Sequence, residues 1–238
     1  MQQYYLDSKV TTEIVTFNKE QEHHIRSVMR MRSHDEVYVV DCDNDKFLVS
    51  LCIEDSLYGK VVSKLESHSE IGVKVAIAQG LIKGDRWDFF LQKSMEFGAT
   101  DIIPLKLKRN VVKIDKDDDK KHQRWSKIML EAAEQSKRDI LPSLHRVADL
   151  KELVSLEYDL KLIAYENEAG NTGLCELLTG DFQSVLLVVG AEGGLAPEEV
   201  DFLKQHGFVS VGLGGRILRA ESASLYFLSA LSYEKELR

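Results

Sequence analysis

Two short glycine turns near the C-terminal end of the chain hold the residues best suited to a ligand. Gly190-Ala191-Glu192-Gly193-Gly194 leaves an apolar run at 184–189, and Leu213-Gly214-Gly215-Arg216-Ile217-Leu218-Arg219-Ala220-Glu221-Ser222 leaves a second run at 208–212. Each turn leads into a helical pattern. Glycines placed where a buried strand ends let main-chain N–H and C=O groups approach a ligand with no side chain in the way. The chemistry this suggests is recognition of a nucleotide-like ligand at the carboxyl edge of a parallel sheet. Considered only as glycine turns, both remain open to a purely connecting role. No GK[ST] follows the first turn to grip phosphates and magnesium, which excludes a P-loop. A dinucleotide fingerprint belongs to a first strand, and this turn comes late. No nucleophile elbow signals a Ser-His-Asp or Cys-His arrangement.

The elements that must position these turns fall into two patterns. Residues 1–68 read as short strands at 4–6, 13–17, 36–41, 46–54 and 58–65, with a hairpin turn at Asp41-Cys42-Asp43-Asn44-Asp45, which predicts a small β-barrel-like domain. One helix interrupts them at 19–31. At 100° per residue Ile25, Val28 and Met29 share its apolar face, while Lys19, His23, Arg26 and Arg30 gather opposite as a basic stripe. That stripe is either a solvated face or a polyanion contact. The adjacent His23 and His24 point about 100° apart on a helix and have no third partner, so no metal site is expected.

Ser67-His68-Ser69-Glu70 reads as a linker, and from residue 72 to 238 strands and helices alternate, which predicts parallel strands covered by helices on both faces. Strands are expected at 73–78, 101–107, 160–165, 184–189 and 209–213, and helices at 84–97, 122–138 and 222–234. The helix at 84–97 carries Trp87, Phe90, Leu91 and Ser94 on one face and stops at Gly98. Lys106-Leu107-Lys108-Arg109 lies at the carboxyl end of a strand, where ligands bind or where a loop is simply kept soluble. The mixed charges of 111–121 read as a mobile loop. Arg138, near the end of the helix at 122–138, reads on periodicity as an i, i+4 partner of Glu134. The last helix is apolar nearly all round and needs cover on two sides.

Composition sets limits. The 238 residues suffice for one large domain or a medium and a small one, with hydrophobic and charged shares of 44% and 29%, ordinary for a soluble globular protein. A formal net charge of −8 excludes a generic polyanion binder, so any nucleic-acid contact must come from a local basic face. No apolar run approaches a membrane span and Met1-Gln2-Gln3-Tyr4 lacks the regions of a signal peptide, so a cytoplasmic protein is expected. Cys42, Cys52 and Cys175 form no CxxC pair and read as small half-buried residues, not as a zinc site or a disulfide framework.

Taken together, Val189 to Gly194, Gly212 to Ala223 and Glu134-Gln135-Ser136-x-Arg138 resemble the RsmE family, uracil-N3 methyltransferases of small-subunit (16S) ribosomal RNA within the SPOUT superfamily. Lys83-Gly84-Asp85-Arg86, Lys93-Ser94-Met95-Glu96-Phe97-Gly98 and the stretch 24–30 extend the resemblance over the whole chain. Ala191 stands where that family commonly has proline, Ser222 where it has threonine, and Ala196 where a capping Ser or Thr is frequent. The last departure removes a cap worth about 1 kcal/mol, which Pro197, Glu198 and Glu199 partly offset.

The resemblance implies an α/β SPOUT domain with a mostly parallel sheet and a deep trefoil knot, preceded by a PUA-like RNA-binding β-barrel, in a homodimer. It implies S-adenosyl-L-methionine as cofactor, held by Gly190, Ala191, Glu192, Gly193, Gly194, Leu213, Gly214, Arg216, Ile217 and Leu218, with no metal and no membrane partner. Lys19, His23, Arg26, Arg30 and Arg109 then become contacts to RNA phosphate in 16S rRNA of the small ribosomal subunit. Uracil N3 carries a proton on the Watson–Crick edge, so the target must be unpaired or extruded and its developing anion stabilised. Arg138, supplied within or across the dimer, and Arg219 are the expected catalytic arginines. Glu192 is expected to orient the cofactor or accept a proton. The competing readings are a SPOUT methyltransferase for another RNA position, ribose 2′-hydroxyls included, and a non-catalytic RNA-binding assembly factor. Intact Gly190, Gly193, Gly194 and Gly214 argue against the latter.

Overall fold

A computed structural model describes residues 1–66, 69–112, 114, 116, 118–165 and 173–238. Ser67 and His68 of the expected linker, and Lys113, Asp115 and Asp117 of the expected loop, lie outside them. The chain divides into two units, Met1–Glu70 with Glu134–Leu141, and Ile71–Ala133 with Pro142–Arg238. The sequence boundaries had given 134–141 to the second domain.

In the first unit, β1 (Gln2–Tyr5), β2 (Ile14–Thr16), β3 (Glu36–Val40), β4 (Lys46–Ile53) and β5 (Leu57–Leu65) form one sheet in the order β1-β3-β4-β5-β2. The β1–β3 pair is parallel and the rest are antiparallel. Alternation puts Val37, Val39, Val49 and Leu51 in the core with Tyr4, Phe17 and Ile25. The β3–β4 hairpin turns where expected: Asp41 Oδ1 accepts from the N–H of Asp43 at 2.9 Å and of Asp45 at 3.0 Å.

Helix α1 (Lys19–His23) is started by a capping box between Asn18 and Gln21, and then widens into a π turn at His24–Val28. That turn overturns the expected apolar face. Ile25 is buried, but Val28 is 58% and Met29 39% exposed, because the i→i+5 step, seen in the bond from Met29 N to His24 O at 2.8 Å, breaks the 100° spacing.

The segment Glu134–Leu141 closes the first unit with buried polar bonds. Arg138 is 2% exposed, and its Nε lies 2.9 and 3.0 Å and its Nη2 2.5 Å from the carboxylate of Glu70. Its carbonyl accepts from Gln3 Nε2 at 2.6 Å and Tyr5 Oη at 2.7 Å. Asp139 pairs with Lys46 at 2.7 Å and accepts from Ser69 Oγ at 2.6 Å. Burial, with the Glu70 charge adding to it and Arg138 opposing, raises the Tyr5 phenol well above its ordinary pKa.

The second unit is a six-stranded sheet in the order β11-β9-β10-β6-β7-β8, parallel throughout: β6 (Lys74–Gly80), β7 (Asp101–Leu105), β8 (Ser143–Leu144), β9 (Leu160–Ala164), β10 (Ser184–Val189) and β11 (Val209–Val211). Successive residues of β6 and β10 face opposite cores. Val75, Ile77, Val185 and Leu187 pack under α2 (Asp85–Glu96), α3 (Asp119–Ser136) and α7 (Ala220–Ser232). Ala76, Ala78, Leu186 and Val188 pack under α4 (Leu150–Val154) and α6 (Pro197–Gln205).

Trp87, Phe90, Leu91 and Ser94 of α2 are all buried, and Gly98 follows with φ +89°. Helix α3 starts at Asp119, inside the stretch expected as loop, and ends at Ser136 before Lys137, whose φ is +62°, so Arg138 lies beyond the helix expected to carry it. The short β8, α4 and α5 (Leu174–Leu178) were not anticipated. Helix α7 buries Ala223, Ser224, Phe227, Leu228 and Leu231, while Tyr226 is exposed. Cys52 is half-buried, whereas Cys42 and Cys175 are exposed. Among the described residues no helix is long and apolar enough to cross a membrane.

Candidate active site

Three adjacent parallel strands end together. Val189 of β10 pairs with Ala164 of β9, and Ala164 with Val211 of β11, so the three strand ends share one carboxyl edge. At this edge lies a pocket of about 520 Å³, within the range of small-molecule sites. Its lining includes all ten residues expected to hold a cofactor: Gly190, Ala191, Glu192, Gly193, Gly194, Leu213, Gly214, Arg216, Ile217 and Leu218. Arg219 and Arg109 also line it, with Ala164, Tyr165, Gly215 and Arg86, to which sequence reasoning gave no role. Arg86 sits in the stretch 83–86 that carried part of the resemblance; the signal was a cation in the first turn of α2.

The first loop is held by side chains. Arg109 Nη1 donates to the carbonyls of Gly193 at 3.1 Å and Leu195 at 3.2 Å. Buried Glu199 accepts from the N–H of Ala196 and of Lys108, both at 2.8 Å, which supplies the acidic half of a capping box where Ala196 has no side-chain oxygen. Glu192 Oε1 accepts from Arg86 Nη2 at 2.5 Å and from the Lys83 N–H at 3.1 Å. The Lys108 ammonium, 2.6 Å from Glu198, holds that carboxyl below its usual range.

The second loop is exposed from Gly214 to Ile217, and Gly214 adopts φ +95°, a conformation glycine takes without strain. Ile217 is 84% exposed, and Arg216 and Arg219 are exposed as well.

Every residue of the pocket belongs to the second unit, and Arg138 belongs to the first. The catalytic role expected of Arg138 meets a buried guanidinium already engaged with Glu70. Arg109, expected on RNA phosphate, spends Nη1 on the first loop. Of the basic stripe, Lys19, His23 and Arg30 are exposed, and Arg26 is half-buried with Nη2 3.3 Å from the Glu54 carbonyl. No group of three or more His, Cys, Asp or Glu side chains is placed to hold a metal ion among the described residues.

An all-parallel sheet with a glycine-lined pocket at its carboxyl edge is the setting of a nucleotide-cofactor enzyme, and residues 69–232 match the RNA methyltransferase domain. The Ribosomal RNA small subunit methyltransferase E of Bacillus subtilis (strain 168) is 37% identical, with 100% of this chain and 98% of that protein covered. The protein of the same name from Mesomycoplasma hyopneumoniae is 30% identical over 87% of this chain and 88% of its own. A crystal structure of a Ribosomal RNA small subunit methyltransferase E from Neisseria gonorrhoeae bound to S-adenosyl methionine superposes with a TM-score of 0.89 at 27% identity, covering 97% and 96% of the two chains. The chain belongs to the ribosomal RNA small subunit methyltransferase E family.

Proposed function

We propose that the protein transfers a methyl group from S-adenosylmethionine to N3 of one uridine in 16S ribosomal RNA of the small subunit. The observation that carries this is the convergence of both glycine loops on one pocket, in a chain matched along its whole length by a family of rRNA methyltransferases. The lining suits that cofactor: Gly190, Gly193, Gly194, Gly214 and Gly215 put no side chain between the main chain and an adenine edge, and arginines line the same pocket for a carboxylate. Bound there, S-adenosylmethionine supplies a methyl group on an already activated sulfonium, so alignment is the protein's main task.

Arg219 then stabilises the negative charge that develops on the uracil as N3 gives up its proton to solvent water, a role suited to a group that stays protonated. Glu192 orients the cofactor-binding loop; its Oε1 is already shared by Arg86 and the Lys83 N–H, which favours this over proton acceptance. The first unit acts as a PUA-like barrel presenting Lys19, His23, Arg26 and Arg30 to phosphate, with Arg109 on phosphate at the pocket. The first unit is the RNA-binding domain and the second the methyltransferase domain, the latter with a trefoil knot, and the protein works as a cytoplasmic homodimer. Arg138 serves as a positioning residue through its pair with Glu70.

Nucleoside mass spectrometry of small-subunit rRNA from cells with and without the protein tests the reaction: 3-methyluridine is expected to disappear with the protein, and an unchanged level rejects it. Arg138→Ala is expected to lower single-turnover methylation with cofactor affinity nearly intact, and Glu70→Gln to reproduce part of that loss. An unchanged rate removes Arg138 from the scheme.

A further inference from the structure

Two fully buried polar side chains, Gln79 and Ser224, lie beneath the first loop. Gln79 is the penultimate residue of β6 and pairs in register with Val189, the last residue of β10 before the loop. Its Nε2 donates to the carbonyl of Gly190 at 3.0 Å and to that of Gly80 at 3.2 Å. Its Oε1 accepts from Ser224 Oγ at 2.6 Å. Ser224 lies in the second turn of α7, next to Ala223 and four residues after Ala220, both of which line the pocket. The strand end also abuts the loop directly, since a Cβ on Gly80 would stand 2.5 Å from Ala191 N and 2.8 Å from Gly190 C.

A leucine or methionine in this place would fill the same space without the cost of burying an amide, so packing alone gives no reason for the pair. What the amide does, and an apolar residue cannot, is fix the direction of the Gly190 carbonyl. In a trans peptide the Ala191 N–H then points the opposite way, so one bond sets both groups of the loop's first peptide. Through Ser224 the same amide is tied to the helix that the second loop launches.

We propose that Gln79 and Ser224 form a buried clasp that positions the first glycine loop against helix α7 and thereby sets the affinity of the pocket for S-adenosylmethionine. This rests on the reading of the pocket as the cofactor site. Both are positioning residues: they act through Gly190 and α7.

Calorimetric titration of S-adenosylmethionine into the full-length protein tests it, beside the melting temperature of each apo variant. Gln79→Met and Ser224→Ala are each expected to weaken binding about tenfold, the effect of one buried polar group left without its partner. Gln79→Glu gives the sharper readout. A buried carboxyl titrates above its ordinary pKa; ionised it repels the Gly190 carbonyl, and protonated it donates to that carbonyl while still accepting from Ser224. Its affinity is therefore expected to recover toward the wild-type value between about pH 8 and pH 6, relative to a wild type measured at the same pH. If the wild-type protein binds and Gln79→Met and Ser224→Ala bind equally tightly, or the Gln79→Glu ratio does not change with pH, the clasp is overturned. A wild-type protein that takes up no S-adenosylmethionine overturns the reading of the pocket, and the clasp with it.

Discussion

Gly190 to Gly194 is tied on several sides: Gln79 holds its first carbonyl, Arg109 the carbonyl of Gly193, Glu192 bonds to Arg86, and Glu199 fixes the turn into α6. Residues 214–217 are exposed, with one glycine at positive φ and an isoleucine almost fully in solvent. The two loops share a composition and an edge of the sheet, yet one is set in advance and the other stands open. A pocket built this way has a fixed wall against which a ligand registers and a second wall free to adjust, so the first should fail by steric overlap and the second by backbone strain.

The largest effect is expected at Gly190→Ala, where a Cβ would stand 2.7 Å from Gly194 C and 2.9 Å from Leu195 N, main-chain atoms with nowhere to go. Cofactor binding should become undetectable by calorimetry, with about 1–3 kcal/mol of stability lost in denaturant titration. Gly214→Val is next. Nothing lies within 4 Å of a Cβ placed there, so the exposed loop can relax away from the φ of +95° that valine avoids, and little of the strain reaches the fold; cofactor affinity should be lost with the melting temperature barely moved. Equal destabilisation by the two substitutions would erase the distinction between the loops.

Glu192→Gln removes a partly exposed ion pair worth roughly 0–1 kcal/mol, so single-turnover methylation should fall less than tenfold. A fall beyond a hundredfold would return Glu192 to the role of proton acceptor. Gly215→Ala meets nothing within 4 Å and has no positive φ, so stability should stay within about 0.5 kcal/mol and affinity nearly unchanged.

The opposite edge of the sheet supplies a control. Burial pushes the Asp101 carboxyl up, but bonds from His145 and Thr100 and the Lys74 charge outweigh it and hold its pKa below the ordinary value. A depressed folded pKa gives stability that is present above about pH 4, the unfolded value, and is lost as pH falls through the folded one. Asp101→Asn should therefore lower the melting temperature at pH 7, converge with wild type in acid, and leave cofactor affinity untouched.

Much of the second unit was legible because parallel strands buried on both faces read as continuous apolar runs: 184–189 was read with its observed limits. The pocket residues were legible from two glycine turns and their resemblance to a family, since main-chain recognition leaves its mark in glycine positions. Arg86 escaped because one cation in a helical first turn has many ordinary explanations. The basic helix was misjudged from Val28 onward because a π turn leaves no trace in hydrophobic spacing. The bond from Arg138 to Glu70 was not legible because the two are 68 residues apart and no local period reveals it.

That distance bears on how the protein is made. The first unit is discontinuous: Lys46 and Glu70 are synthesised early, and Asp139 and Arg138, which neutralise them, come 93 and 68 residues later. At 5–20 residues per second the ribosome needs roughly 3–14 s to get from Glu70 to Arg138. Until then the N-terminal sheet holds charges meant for burial without their partners. The N-terminal module is thus completed only after the first strands of its neighbour exist, and a fragment cut at residue 70 would not be the unit seen here.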